Sequence, residues 1–272
     1  MRLPELVRDP AQVFDSLFVP ALFAYWGPRV AAAAGIQTGH RVLDVGCGTG
    51  VLACAAAERT GSDGVVVGLD PSPQMLAVAR RKPCRVEWRE GRAEALPFTD
   101  GSFDAVVSQA AITFFDPPET ALAEMLRVLR PGGRLAVHAF DHLEHATAYH
   151  TLAVQLARLF GERYRDAMHP PFALGDRDAL RNLVAAAGGS DVVVSTEPGP
   201  VRFASIEAML SAEQACVWTL GGLLNDAQFA TLREAARTSL QPFVQPDGSV
   251  VFDCPGHIVT ATKPAVGRSG PL

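Results

Sequence analysis

Residues 42–50 read VLDVGCGTG, so an apolar strand runs directly into three glycines at alternate positions. Glycine reaches positive φ and carries no Cβ, which lets the chain turn sharply out of a strand while a ligand lies against the main chain. Residues 51–59 favour a helix whose free N–H groups would face the same ligand. The stretch therefore predicts a strand, turn and helix that bind a small molecule.

A carboxylate stands at the end of the next predicted strand, residues 65–70, where Asp70 lies 20 positions beyond Gly50. An acid at this place can accept hydrogen bonds from both hydroxyls of a ribose. Because βαβ units close with a right-handed crossover, we expect Asp70 to lie beside the glycine turn. These residues leave NAD and S-adenosyl-L-methionine (SAM) both open as ligands.

The spacing of the glycines disfavours NAD. The nicotinamide fingerprint is Gly-x-Gly-x-x-Gly or Ala, but the third glycine, Gly50, comes one place early and Val51 stands where the small residue is required. An NAD-dependent oxidoreductase is therefore the less favoured alternative.

Three further motifs follow the glycine run in order. They are residues 68–76 (GLDPSPQML), residues 91–98 with 103–109 (GRAEALPF and FDAVVSQ), and residues 126–135 (LRVLRPGGRL). Through these four segments the chain resembles, over residues 41–139, the class I SAM-dependent methyltransferases. It is most similar to the small-molecule branch that includes the ubiquinone and menaquinone methyltransferases. A glycine run alone is a nonspecific signal, whereas four motifs at the expected separations are specific.

This resemblance implies SAM as the cofactor and indicates which residues bind it. They are Asp44, Gly46, Cys47, Gly48 and Gly50 in the turn, Asp70, Pro71 and Met75 after the second strand, Ala93 and Glu94 in the adenine loop, Gln109 at the end of the fourth strand, and Tyr25 and Trp26 in an N-terminal cap. Asp70 is expected to bind the ribose, and Met75 to pack on one face of the adenine. Ala93 and Glu94 would recognise the adenine nitrogens. Each position also has a purely structural interpretation, such as a core methionine or a residue that caps a turn.

A cluster of ionisable side chains follows the fifth predicted strand, and it comprises His138, Asp141, His142, Glu144, His145 and His150. Methyl transfer to a phenol, an amine or an enolizable carbon requires a general base that titrates near the working pH, and histidine suits this role. We predict His142 or His145 as that base. The structural alternative is an exposed, polar start of a helix. No metal is predicted, because such transfers do not generally need one.

The alternation of strands and helices predicts an α/β fold with a doubly wound, mostly parallel seven-stranded sheet. Its last strand is antiparallel in the family that the chain resembles. The predicted parts are a helical cap (1–35), a Rossmann-like core (36–204), a helical insert (205–245) that the resemblance implies is a lid, and the last strand with a tail (246–272). The lid carries Met209, Trp218, Leu220, Leu223, Leu224 and Phe229, which favours a largely apolar substrate.

Composition excludes several classes of function. A net charge of −5 and the absence of any Lys/Arg-rich block argue against a nucleic-acid partner. No signal peptide or spanning segment is recognised, so no membrane association and a cytoplasmic location are expected. The five cysteines (Cys47, Cys54, Cys84, Cys216 and Cys254) are scattered without a C-x-x-C pair, which predicts reduced thiols and neither a disulfide framework nor a zinc site.

Together these observations predict a SAM-dependent methyltransferase that methylates a small, fairly hydrophobic metabolite by direct displacement. The alternative is a SAM-binding protein that does not transfer the methyl group, either a scaffold or a cyclase-like enzyme on the same fold.

Overall fold

The computed structural model describes residues 9–216 and 220–265. The chain divides into two compact units. The sheet unit comprises Gly27–His138, Arg177–Ser195 and Ile258–Leu272, and the helical unit comprises Met1–Trp26, Ala139–Asp176 and Thr196–His257. Residues 1–8 of the predicted cap, Trp218 of the predicted lid and residues 266–272 of the predicted tail lie outside the described residues.

The strands are β1 (Arg41–Val45), β2 (Val65–Asp70), β3 (Glu87–Glu90), β4 (Phe103–Gln109), β5 (Leu129–Phe140), β6 (Ser190–Glu197), β7 (Pro200–Phe203), β8 (Val250–Asp253) and β9 (Gly256–Thr262). Seven of them form one sheet in the order β3-β2-β1-β4-β5-β9-β6, while β7 and β8 form a separate antiparallel pair. β1 is parallel to β2 and to β4, β2 is parallel to β3, and β4 is parallel to β5. The predicted doubly wound, mostly parallel, seven-stranded architecture is confirmed.

The last strand runs against its neighbour, as the resemblance implied. The N–H of Gly132, near the start of β5, donates to the carbonyl of Lys263 at 2.9 Å, and the N–H of Lys263 donates to the carbonyl of Gly133 at 2.9 Å. Lys263 directly follows β9, so the start of one strand lies beside the end of the other. In the middle of the sheet β1 neighbours β4, although β2 and β3 come between them in the chain. Their carboxyl edge is therefore the switch point where open α/β sheets bind ligands.

The helices are α1 (Pro10–Val13), a π-helix (Phe14–Phe23), α2 (Trp26–Ala33), α3 (Val51–Thr60), α4 (Pro73–Ala79), α5 (Pro118–Val128), α6 (Thr147–Phe160), α7 (Glu162–Asp166), α8 (Arg177–Ala186), α9 (Ile206–Ala215) and α10 (Asp226–Ser239). Short 3-10 turns include Ile112–Phe114 and Leu143–His145. Within the described ranges, no helix has both the length and the apolar composition that crossing a bilayer requires.

Local sequence signals account for the elements around the glycine turn. Val42 and Leu43 of β1 are fully buried, as expected for a strand of a parallel sheet covered on both faces. Ser72 caps α4, because its Oγ accepts a hydrogen bond from the Met75 N–H at 3.3 Å, and Pro73 occupies the first turn. β1 and β2 pair in parallel, so their carboxyl ends lie at the same edge of the sheet.

The two compact units group the chain differently from the predicted cap, core, lid and tail. Residues 205–245 contain α9 and α10, as expected for a helical insert, but they belong to the same unit as residues 139–176. Val201 of β7 pairs with Phe252 of β8, so the segments on either side of the predicted insert are joined. Periodicity within a segment does not reveal such a pairing of distant segments.

The cysteine prediction is wrong for one pair. Cys54 of α3 and Cys84, just ahead of β3, form a disulfide with Cα atoms 5.4 Å apart. Cys47, Cys216 and Cys254 are not disulfide-bonded. The paired cysteines are 30 residues apart in the chain, and only the packing of α3 beside the segment that leads into β3 brings them together.

Candidate functional site

The glycine run forms the predicted turn between β1 and α3. The N–H groups of Gly46 and Cys47 both donate to the carbonyl of Leu69 in β2, at 2.8 and 3.0 Å. Gly48 and Gly50 have φ values of 54° and 90°, in the left-handed region that side chains rarely adopt. A Cβ built on Gly48 meets no heavy atom within 4 Å. The turn therefore presents bare main chain to open space.

Asp70 lies beside this turn, as predicted. Its Oδ2 accepts a hydrogen bond from the Gly48 N–H at 2.8 Å, and its Oδ1 accepts one from the Ser72 N–H at 2.9 Å. Burial raises the pKa of the Asp70 carboxyl, while the N–H groups of Ser72 and Gly48 oppose the rise. Each carboxylate oxygen has a second lone pair, so Asp70 can still accept hydrogen bonds from a ligand. Pro71, the next residue, is exposed.

Asp44 is an ionisable side chain buried inside the sheet unit. It lies in β1 and is only 1% exposed, and neither carboxyl oxygen receives a hydrogen bond of normal length and angle from the described part of the chain. Burial raises the pKa of Asp44 to about 8, the nearby charge of Asp70 adds to the rise, and the backbone of Ala53 opposes it. A buried carboxyl without a partner is costly. A ligand with hydrogen-bond donors or positive charge would remove this cost.

Buried hydroxyls occur near the same edge, and the sequence analysis assigned them no role. The hydroxyls of Thr49, Ser108 and Thr113 are buried and have no hydrogen-bond partner among the residues described. Thr49 belongs to the glycine turn, and Ser108 follows Val107, which pairs with Asp44 across β4 and β1. The sequence signal that could have identified Ser108 was its position as a small polar residue at the end of the apolar run of β4. Together with Asp44 these groups give the switch point a buried polar lining with unused hydrogen-bonding capacity.

An indole ring packs against the turn, which the sequence analysis also missed. Trp88 of β3 lies so close to Gly50 that a Cβ at Gly50 would overlap the ring. A Cβ at Gly68 of β2 would lie 2.6 Å from the same indole. Both glycines are therefore needed for Trp88 to approach the backbone. The ring is also a built-in fluorescent reporter for this turn.

The residues expected around the adenine lie in the same unit. Met75 and Ala93 are buried, with 5% of each exposed. The Oε1 of Glu94 accepts a hydrogen bond from the Asp116 N–H at 2.9 Å, and its Oε2 lies 3.2 Å from the Arg92 guanidinium. Glu94 thus fastens the predicted adenine loop to the loop that follows β4. Contact of these residues with adenine stays a prediction.

Gln109 is the last residue of β4 and stands opposite His138 of β5 in the register of the sheet. His138 is fully buried. It therefore lies among the strands of the sheet unit, whereas the other members of the predicted ionisable cluster belong to the helical unit.

Tyr25 and Trp26 also belong to the helical unit. The Tyr25 hydroxyl donates to Oε2 of Glu197 at 3.1 Å, and the two aromatic rings meet edge to face with centroids 5.0 Å apart. Trp26 is fully buried, and a Cβ built on Gly199 would lie 2.5 Å from its indole. These contacts give both residues a structural role, and cofactor contact stays a prediction.

The structure pairs one predicted histidine with a carboxylate. Nδ1 of His145 lies 3.0 Å from Oδ2 of Asp141, while the ring of His142 meets the ring of His145 edge to face at 5.9 Å. Both histidines are exposed. The N–H of His142 donates to Oδ1 of Asp141 at 2.7 Å. In the described ranges, no three His, Cys, Asp or Glu side chains are grouped so that they could hold a metal ion.

Comparison with known proteins identifies the family to which the chain belongs. A family model described as a methyltransferase domain matches residues 43–137. A demethylmenaquinone methyltransferase from Renibacterium salmoninarum is 45% identical over 43% of this chain and 48% of its own length. A ubiquinone/menaquinone biosynthesis C-methyltransferase (UbiE) from Pseudoalteromonas translucida is 31% identical over 65% of this chain and 76% of its own length. The chain thus spans about half the length of the first relative and three quarters of the second.

Among solved structures, the [4+2]-cyclase SpnF has a TM-score of 0.55 and 21% identity, over 89% of this chain and 81% of that one. This likeness concerns the fold alone. The family match and the relatives define the class of protein. The chain belongs to the class I SAM-dependent methyltransferases, in the group that includes the ubiquinone and menaquinone enzymes.

Proposed function

We propose that this protein transfers a methyl group from SAM to a small, fairly hydrophobic acceptor. The observation that carries the proposal is the unpartnered carboxyl of Asp44, buried at the switch point beside a glycine turn and Asp70. SAM carries a positively charged sulfonium, an ammonium group and a ribose with two hydroxyls. These are the groups that two buried carboxyls and a bare main-chain turn can bind.

Each residue around the turn then has a defined part in binding. The free lone pairs of Asp70 accept from the ribose hydroxyls, and the backbone of Gly48 lies against the cofactor. Asp44 faces the positively charged end, together with the hydroxyls of Thr49 and Ser108. Bound SAM supplies an electrophilic methyl group on sulfur.

The acceptor must lie on the far side of that methyl group, in line with the bond to sulfur and within about 3–3.5 Å of the carbon. An acceptor oxygen, nitrogen or enolizable carbon must also lose a proton. We propose that His142 or His145 takes it. Both follow β5, whose carboxyl end belongs to the edge where such sheets bind ligands.

Two observations support an apolar acceptor. The relatives are named as methyltransferases of demethylmenaquinone and of ubiquinone/menaquinone biosynthesis. In this chain, α9, α10 and the turn between them supply apolar side chains, of which Met209, Leu220 and Phe229 are buried and Leu223 is 37% exposed. A small aromatic alcohol or quinol is therefore the class of acceptor to test first.

Calorimetric titration with SAM, S-adenosylhomocysteine and NAD tests the cofactor. We expect binding of the first two and none of NAD. A screen of aromatic alcohols and quinols for release of S-adenosylhomocysteine then tests methyl transfer. Binding of SAM without any release of S-adenosylhomocysteine would favour the scaffold or cyclase-like alternative, and binding of NAD would contradict the proposal.

A further inference from the structure

We infer that Asp141 is a positioning residue that holds the ring of His145 and makes His145, rather than His142, the proton acceptor. This inference rests on the proposed methyl transfer. It concerns four residues of the helical unit, Asp141, His145, His257 and Gly175, whose contacts with one another are all within that unit.

The contact between Asp141 and His145 fixes which ring nitrogen carries the proton. Oδ2 of Asp141 lies 3.0 Å from Nδ1 of His145. A carboxylate can only accept a hydrogen bond, so Nδ1 must be the protonated nitrogen of the neutral ring. Nε2 then has a free lone pair, and 57% of the His145 side chain is exposed to solvent. A ring in this state can take a proton from a molecule that approaches it.

Asp141 is itself held firmly. Its N–H donates to the carbonyl of Pro255 at 2.9 Å, and its Oδ1 accepts from the His142 N–H at 2.7 Å. Only 13% of its side chain is exposed. Burial raises its pKa, but the His142 N–H and the rings of His145 and His257 outweigh burial and lower it. Asp141 therefore stays ionised when His145 takes up a proton.

A buried histidine supports Asp141 from the other side. His257 is 3% exposed, and its Nε2 lies 2.8 Å from the carbonyl of Gly175 and 3.5 Å from Oδ1 of Asp141. Because a carbonyl only accepts, Nε2 carries the proton and Nδ1 accepts from the Thr196 hydroxyl at 2.8 Å. The His142 N–H and the His145 ring therefore donate to the Asp141 carboxylate, and the ring of His257 lies beside it.

A glycine lets the supporting turn approach. A Cβ at Gly175 would lie 2.5 Å from the backbone nitrogen of His142 and 2.7 Å from the carbonyl carbon of Asp141. Only glycine allows the chain at this position to lie against Asp141 while its carbonyl holds His257. This close packing requires glycine at position 175, and no sequence motif indicated that requirement.

His142 lacks an equivalent partner, because no carboxylate among the described residues pairs with its ring. The remaining titratable groups near Asp141 or beside the two histidines are Glu144, His150, His169, His257 and Cys254. None of them contacts Nε2 of His145 within the described residues. His145 is therefore the histidine with both a fixed proton position and an open nitrogen.

The substitution Asp141→Asn separates positioning from simple structural support. An asparagine must direct its amide NH₂ group at one of the two donors, the His142 N–H or the His145 ring. Its oxygen accepts from the His142 N–H, a backbone donor that cannot change its role, when it occupies the Oδ1 position, so the NH₂ group faces His145. The His145 ring must then accept at Nδ1 and carry its proton on Nε2, which removes the free lone pair.

Long-range ¹H–¹⁵N correlation spectra of the full-length protein at alkaline pH test this without any acceptor. We expect the Nδ1–H form of His145 in the wild type and the Nε2–H form in Asp141→Asn. A wild-type ring protonated on Nε2 would overturn the inference. His40→Gln, a histidine of the sheet unit, serves as the control for assignment and folding.

Turnover of an aromatic alcohol, followed as S-adenosylhomocysteine release, gives the second readout. Asp141→Asn and His145→Gln should each lower kcat about 100-fold or more, with KM within about twofold. Loss of turnover in His142→Gln but not in His145→Gln would overturn the assignment. If the wild type does not bind SAM or releases no S-adenosylhomocysteine, the proposed function fails, and the catalytic role of His145 fails with it. The spectra still decide whether Asp141 sets the protonated nitrogen.

Discussion

Oδ2 of Asp70 accepts a hydrogen bond from the backbone N–H of Gly48 at 2.8 Å, although 22 residues separate them in the chain. This contact joins the end of β2 to the middle of the glycine turn. It orients the carboxylate that we assign to the ribose and keeps the turn open at the same time. Loss of Asp70 should therefore affect both ligand recognition and the shape of the turn.

Replacing Asp70 with alanine should weaken SAM binding by about 100-fold or more, because hydrogen bonds to a charged group contribute roughly 1.5–3 kcal/mol each. Calorimetry measures the affinity. A comparison of adenosine with 2′-deoxyadenosine isolates the ribose contribution, since the wild type should prefer adenosine and Asp70→Asn should lose that preference. Unchanged SAM affinity in Asp70→Ala would remove the ribose assignment.

SAM affinity should depend on pH through Asp44. The pKa of this carboxyl is raised to about 8 by burial and by Asp70, and a bound cation favours its ionised form. Affinity should therefore rise by up to about tenfold per pH unit below pH 8 and level off above it. Asp44→Asn, which has no charge to titrate, should bind SAM more weakly and lack this part of the slope. Equal slopes in the two proteins would contradict the assignment.

The same carboxyl should make the ligand-free protein less stable as pH rises. The folded pKa of Asp44 is about 8, above the unfolded value of about 3.9, so the folded state holds a proton that the unfolded state has released. Its stabilising effect is fully present below about pH 4 and is lost as pH rises towards 8. Asp44→Asn should be the more stable protein at pH 9, by a few kcal/mol. Urea unfolding at pH 5 and pH 9 measures this.

Two glycines provide a matched test of the turn. Gly48 and Gly132 have φ values of 54° and 76°, and a Cβ at either one meets no heavy atom within 4 Å. Alanine at each position should lower the free energy of unfolding by a similar ~1–2 kcal/mol through backbone strain. Only Gly48→Ala should weaken SAM binding, because its methyl group enters the space assigned to the cofactor. An equal effect of both substitutions on affinity would place the ligand elsewhere.

The disulfide between Cys54 and Cys84 should stabilise the fold. It closes a loop across 30 residues, so its loss should lower the free energy of unfolding by roughly 3 kcal/mol. Dithiothreitol should reduce the melting temperature of the wild type to that of Cys84→Ser and should not affect the variant. Thiol titration of the unfolded, unreduced protein should show three free cysteines.

Much of the cofactor site follows from local sequence. The glycine run requires left-handed backbone that only glycine adopts readily, and the apolar runs of β1 and β2 end at Gly46 and Asp70. The right-handed crossover then leaves one way to close the unit, which brings Asp70 beside the turn. Other features of the site depend on how neighbouring strands pack in the sheet. They are the unpartnered state of Asp44, the contact of the Trp88 ring with Gly50, and the burial of the Ser108 hydroxyl.

The sequence by itself determined the α/β class, the position of Asp70 beside the glycine turn, and the family, because these depend on short-range pattern and on a few invariant rules of chain connection. Only the tertiary structure decided the pairing of Cys54 with Cys84, the antiparallel pair β7 and β8, and which histidine Asp141 holds. Each of these is a contact between residues or segments that is set by packing and by the direction of the side chains. Such contacts depend on the free energy of the whole fold, and no local pattern encodes them.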